Sequence, residues 1–196
     1  MSDPDRHVPT GPDWEALLDL AVSQAGYFST AQAAEVGFSP ELLIHHRKRG
    51  RIERTRRGIY RVRHLPAQDD EQLVELWLWS GRQGVFSHRT ALALYDLSDV
   101  LPDRVEMTLP AAWRKRRLRV PEVLRLHHDD LPEQERSWVG HVPVTTPART
   151  LRDCVAASVS PDLVRQAIAQ GIARGRLSEE DGAEVVACLD RSEEGR

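Results

Sequence analysis

The chain is poor in the groups that most catalytic or exported proteins depend on. Among its 196 residues are two cysteines, Cys154 and Cys188, far apart and in helical surroundings. They fit no metal-ligand spacing and read as small buried hydrophobes. Aromatic residues are 6% of the chain. The basic segment lacks the stacking rings an RNA reader uses, except Tyr60. No apolar run approaches the roughly twenty residues a membrane span needs. The start, MSDPDRHVPTGPD, has no apolar core, so no signal peptide is expected. No P-loop, Gly-rich dinucleotide turn, Cys–His framework or set of carboxylates at ligand spacing occurs. The expectation is a cytoplasmic, non-membrane protein with no catalytic residue, no metal and no cofactor.

What the chain does have is a basic island on an acidic background. Between Ile44 and His64 nine Lys or Arg face one acid, Glu53, a net +8. The whole chain is −3, which leaves −11 for the rest. Clustered cations displace condensed counterions from a polyphosphate, the main source of nucleic-acid affinity. The same charge also fits a solvated Arg-rich hairpin, but no acidic run nearby balances it.

The local signals around the island are ordered. Asp13 caps a helix through about Ala25, with Trp14, Leu17, Leu18 and Ala21 on one stripe. Tyr27 and Phe28 form a short apolar bridge. Ser29 or Thr30 caps a brief helix over about Ala31–Glu35, and Gly37 makes a sharp turn. Ser39 and Pro40 then open a helix that Gly50 ends. Ile52 begins a strand, Gly58 supplies a tight turn, and Ile59, Tyr60 and Val62 return.

That order is a helix-turn-helix followed by a wing. In such modules the second helix enters the major groove. Ser39, Ile44, His45, Lys48 and Arg49 are the candidate groove residues, with Glu41 a candidate reader of cytosine. Leu43 is expected in the core, with His46 packing beside it. Arg51, Arg54, Arg56, Arg57 and Arg61 are candidate phosphate contacts on the wing. Tyr60 fits either a phosphate contact or packing.

Beyond the wing, Leu65–Asp70 reads as a linker and about Asp69–Trp79 as a helix. Ser87 is expected to cap a helix that buries Ala91, Leu92 and Leu94. Ser87, His88, Arg89 and Thr90 suggest a nucleophile, but no acid is placed to orient His88. Residues 104–109 alternate strictly and predict a half-buried strand. A second basic cluster follows: Arg114, Lys115, Arg116, Arg117 and Arg119, beside Trp113. It fits a second DNA contact, a solvated loop or a patch for an acidic partner. His127, His128, Asp129 and Asp130 do not read as a metal site, because neighbours on a strand face opposite ways. Thr146 and Pro147 open a helix on which Arg149 and Asp153 are spaced to pair. Helices over about Asp162–Ala173 and Ser178–Leu189 close the chain.

The stretch GYFSTAQAAEVGFSPELLIHHRKRGRIERTRRGIYRV resembles the N-terminal winged helix of the AbiEi antitoxin family. The shared features are Thr30 and Ala34, Gly37, Arg49–Gly50, and Arg57, Gly58 and Tyr60. The chain departs from the pattern at His46, where an aliphatic residue is usual. VFSHRTALALYDL and GHVPVTTPARTLRDC resemble the C-terminal antitoxin domain of the same family. The resemblance implies a DNA-binding autorepressor of a type IV toxin–antitoxin operon, acting on its own promoter and against a nucleotidyltransferase-type toxin. The alternative is a nucleic-acid-acting enzyme related to winged-helix Vsr-type endonucleases, with the catalytic domain lost or unrecognised.

The expected fold is α+β. Residues 1–12 form a disordered start and 13–64 the winged helix-turn-helix. A linker at 65–72, a mixed α/β domain at 73–190 and a tail at 191–196 follow.

Overall fold

A computed structural model describes residues 11–97 and 102–194. Most of the expected disordered start, residues 1–10, lies outside the described residues. The fold is α+β, in two compact units, Met1–Arg82 and Gln83–Arg196.

The first unit orders α1 (Trp14–Val22), β1 (Tyr27–Ser29), α2 (Thr30–Glu35), α3 (Pro40–Lys48), β2 (Ile52–Arg56), β3 (Ile59–Val62) and α4 (Glu71–Trp79). The N-caps form as the sequence predicts. Asp13 accepts from the Ala16 N–H at 2.9 Å, and Ser39 from the Leu42 N–H at 3.3 Å. Ser29 and Gln32 cap α2 reciprocally. Leu17, Ala21, Phe28, Ala33, Phe38, Leu43, Ile52 and Val62 make one apolar core. Gly37 is left-handed at φ +87°, and a Cβ there would lie 3.0 Å from the Gly11 carbonyl. So residues 11 and 12 run against the turn, although the sequence suggests disorder there.

Two differences from expectation matter. The Tyr27–Phe28 bridge is a true strand, and the sheet has the order β1-β3-β2, all antiparallel. The helix α4 packs on β1 and β3 and belongs to the first unit, which ends at Arg82. A boundary at residue 72 would split it.

The second unit holds β4 (Val85–Phe86), α5 (His88–Leu94), β5 (Val105–Leu109), β6 (Leu124–His128), β7 (Arg136–Val139), β8 (Val142–Thr145), α6 (Pro147–Ala156), α7 (Pro161–Ala173) and α8 (Glu179–Glu194). The mixed sheet runs β6-β5-β4-β8-β7, with β5 parallel to β6 and β4 parallel to β8. The helix α8 reaches Glu194, through most of the expected tail.

Two polar features correct the sequence view. The strand β5 is buried on both faces, because Glu106 and Thr108 are as covered as Met107 and Leu109. Ser87 sits at the N-cap position of α5 but does not cap it. Its Oγ accepts from Thr108 Oγ1 at 2.8 Å and shares a 2.9 Å hydrogen bond with His88 Nδ1. Cys154 and Cys188 are free; burial pushes the Cys154 thiol up to about 12, so it is inert. No helix of the described residues is long and apolar enough to cross a membrane.

Candidate nucleic-acid interface

The helix α3 divides its residues cleanly. Leu43 is fully buried. One step further round, Glu41, Ile44, His45, Arg47, Lys48 and Arg49 are exposed. Ile44 is 43% exposed, an apolar side chain left in water among cations. On a groove-facing helix such a side chain suits a thymine methyl. Ser39 spends its hydroxyl on the cap, and its side chain also bonds Glu41, holding that carboxyl below its ordinary range.

His46 fixes how α3 sits. Its ring stacks on Trp14 with centroids 4.8 Å apart and tilts against Phe38 at 5.6 Å. Burial, then the nearby Arg51, His45 and Arg49 charges, hold its pKa below the ordinary value. A neutral imidazole replaces the usual aliphatic residue as a flat packing surface between two aromatic rings. The expectation that His46 packs is met.

The wing is built by β2 and β3 with Arg57 and Gly58 at its tip. Gly58 is left-handed at φ +78°. Its carbonyl accepts from the Thr30 N–H at 2.9 Å and Thr30 Oγ1 at 3.2 Å. The tip is therefore tied to the start of α2, which makes it a rigid presenter of charge.

The cations of the wing fall into two sets. Arg51, Arg54 and Arg57 are exposed and carry no carboxylate partner among the described residues. The Arg54 Nε donates to the Arg56 carbonyl at 3.2 Å, and the Arg51 guanidinium lies 5.7 Å from the Trp14 ring. Arg56 and Arg61 are engaged elsewhere. Arg56 Nε donates to Glu75 on α4 at 2.7 Å. Arg61 donates to the Leu65 carbonyl at 2.9 Å, lies 3.5 Å from Glu71, and is only 12% exposed. Tyr60 stacks on Phe28 at 5.7 Å, which favours packing over phosphate contact. Sequence reasoning missed Arg47, placed with the packing face yet exposed; no local signal distinguished it from His46.

In the second unit Lys115, Arg116, Arg117 and Arg119 are exposed and form no ion pair among the described residues. The Arg116 guanidinium lies 4.2 Å from the Trp113 ring. Arg114 is also exposed and donates to the His128 carbonyl at 3.0 Å.

The module that carries the first set has relatives. Residues 15–63 match the family of AbiEi antitoxin transcriptional regulators. The match covers α1 through β3 and stops before α4, so it adds nothing on the second unit. No curated protein matches the chain. Among solved structures, the fold is similar to the RV2827C protein from Mycobacterium tuberculosis. That chain is 15% identical, with a TM-score of 0.53, and the alignment covers 94% of this chain and 80% of that one. At this identity the likeness concerns the fold. The AbiEi-type head thus places its family match and its exposed cations on the same residues.

Proposed function

We propose that this protein is a cytoplasmic, sequence-specific double-stranded DNA-binding repressor of its own promoter, and the antitoxin of a type IV toxin–antitoxin operon. The supporting observation is the set of six cations on α3 and the wing, Arg47, Lys48, Arg49, Arg51, Arg54 and Arg57, exposed within a segment that matches AbiEi regulators. Ile44, His45 and Lys48 enter the major groove, and Arg54 and Arg57 hold phosphates from the wing. Ser39 serves by capping α3. Arg56, Arg61 and Tyr60 serve by shaping the wing. The exposed cluster at Lys115, Arg116, Arg117 and Arg119 is a second phosphate contact. The toxin it counters is of the nucleotidyltransferase type.

Titrating the full chain against duplex DNA from its own upstream region tests this. Six neutralised phosphates give a log–log salt slope of about −5, and the second cluster makes it steeper. Binding that is indifferent to salt removes the proposal. For the antitoxin part, co-expression with the adjacent open reading frame is the test. Relief of growth arrest supports it, and no effect on a toxic neighbour contradicts it.

A further inference from the structure

The second unit contains a solvent-open pocket of about 420 Å³ that DNA binding does not use. Its buried end is formed by His88, Thr108 and Asp153, and its open end by Arg114, His128 and Asp129. Every one of these residues belongs to the second unit.

The two ends offer opposite chemistry. At the buried end Asp153 Oδ1 accepts from Arg149 Nε at 2.7 Å, but Asp153 Oδ2 is buried with no hydrogen-bond partner. Arg149 cannot supply a second bond there, because it also holds Glu135 and Asp129. A covered carboxylate oxygen without a donor is costly, and a ligand N–H removes the cost. Burial raises the Asp153 carboxyl above its ordinary range, which a donor would reverse.

The floor beside it is fixed rather than adaptable. His88 and His127 stack with centroids 3.6 Å apart. His88 is held at φ +54°, a conformation L side chains rarely adopt. Thr108 behind them is tied to Ser87. At the mouth, Arg114 gives one N–H to the His128 carbonyl and keeps the others for an anion. The unpaired Lys115, Arg116, Arg117 and Arg119 follow it directly.

We propose that this pocket binds a nucleoside monophosphate, its phosphate on Arg114 and an exocyclic amino group of its base donating to Asp153 Oδ2. Guanidinium and phosphate match in geometry and charge. The volume lies within the range of small-molecule sites. A free phosphate satisfies only the mouth, and a plain amine only the buried oxygen. A nucleotide spans both. This site does not depend on the DNA-binding proposal.

Isothermal titration of the full chain tests it, with AMP, adenosine, inorganic phosphate and the purine riboside monophosphate that lacks the amino group. AMP is expected to bind at least about 10-fold tighter than each of the other three, the loss expected when a buried polar group goes unpaired or an anchor is missing. Arg114→Ala should weaken AMP about 10-fold and leave adenosine unchanged. Because Arg114 is exposed, that variant should fold, and the ligand series makes the same test without any substitution. The proposal is overturned if AMP, CMP and GMP all fail to bind at millimolar concentration. It is equally overturned if AMP binds no tighter than phosphate or the amino-free analogue, or if Arg114→Ala leaves AMP affinity unchanged.

Discussion

Arg56 and Arg57 are neighbours on the wing, and they face different futures. Arg57, at the tip, is exposed with no carboxylate beside it, whereas Arg56 donates to Glu75 on α4. The contrast is sharper between the two units. Arg149 on α6 is 14% exposed and is held by Asp129, Glu135 and Asp153 together. One residue type thus does two jobs. Where carboxylates surround it, arginine ties elements together; where none is near, its charge is left for a partner. Charge counting alone treats all of them as one population.

The contrast can be broken at its structural end first. Arg149→Met leaves three carboxylates without their common cation. Removing one partner of a mostly buried network costs about 3 kcal/mol. Urea unfolding should show that loss in the second unit, and a change under about 0.5 kcal/mol would mean that Arg149 is merely a surface residue. Leu43→Ala, beneath the exposed face of α3, should cost a similar amount, about 3 kcal/mol, by leaving a cavity in the first unit. DNA binding should fall with it, as measured by circular dichroism and mobility shift on the same sample.

Substitutions at the wing should separate binding from stability. Arg54→Ala with Arg57→Ala should change stability by less than about 0.5 kcal/mol. The salt slope of DNA binding should flatten by about 2 units. Arg56→Ala should do the reverse, costing about 0.5 kcal/mol, because the pair is partly exposed. Its slope should stay within error of wild type.

The smallest effect expected is with pH. His46 and His88 both have folded pKa values below the unfolded value, His88 at about 4, chiefly through burial. Each therefore contributes stability that is fully present above the ordinary histidine value. It is lost as pH falls from there toward the folded value, as protons bind the unfolded chain first. For Glu106 burial pushes the carboxyl up, but hydrogen bonds from His127 and the Arg89 N–H outweigh it and hold the group low. Its contribution is also lost on acidification, at lower pH. Urea unfolding at pH 5 and pH 7 checks the sign. His46→Leu should remove part of the pH dependence from the first unit only.

Local chemistry made much of the first unit legible. Caps at Asp13 and Ser39, the left-handed Gly50 and Gly58, and the Trp14–Leu17–Ala21 stripe are all encoded within a few residues. The strand β1 was not legible, because its three residues become a strand only by pairing with Ile59–Arg61 about a sheet-width away in space and far along the chain. Nor was the fate of Arg56 and Arg61, decided by Glu75 and Glu71 on a helix that reads as part of the next domain. In the second unit the alternation of residues 104–109 suggests a wet face. That face is dry because Thr90, Arg89 and His127 arrive from other elements to satisfy Glu106. The pocket residues escaped for the same reason. His88, Thr108, Arg114, His128 and Asp153 converge only through the sheet and α6.

The most direct measurement is fluorescence anisotropy of the full chain on its upstream duplex, from low to high salt, for wild type, Arg56→Ala and the Arg54/Arg57 double alanine variant. The expected result is a slope of about −5 or steeper for wild type and Arg56→Ala, flattened by about 2 units in the double variant. A wild-type slope near zero, or equal flattening from Arg56→Ala, would contradict the claim that the exposed cations of α3 and the wing tip hold duplex DNA.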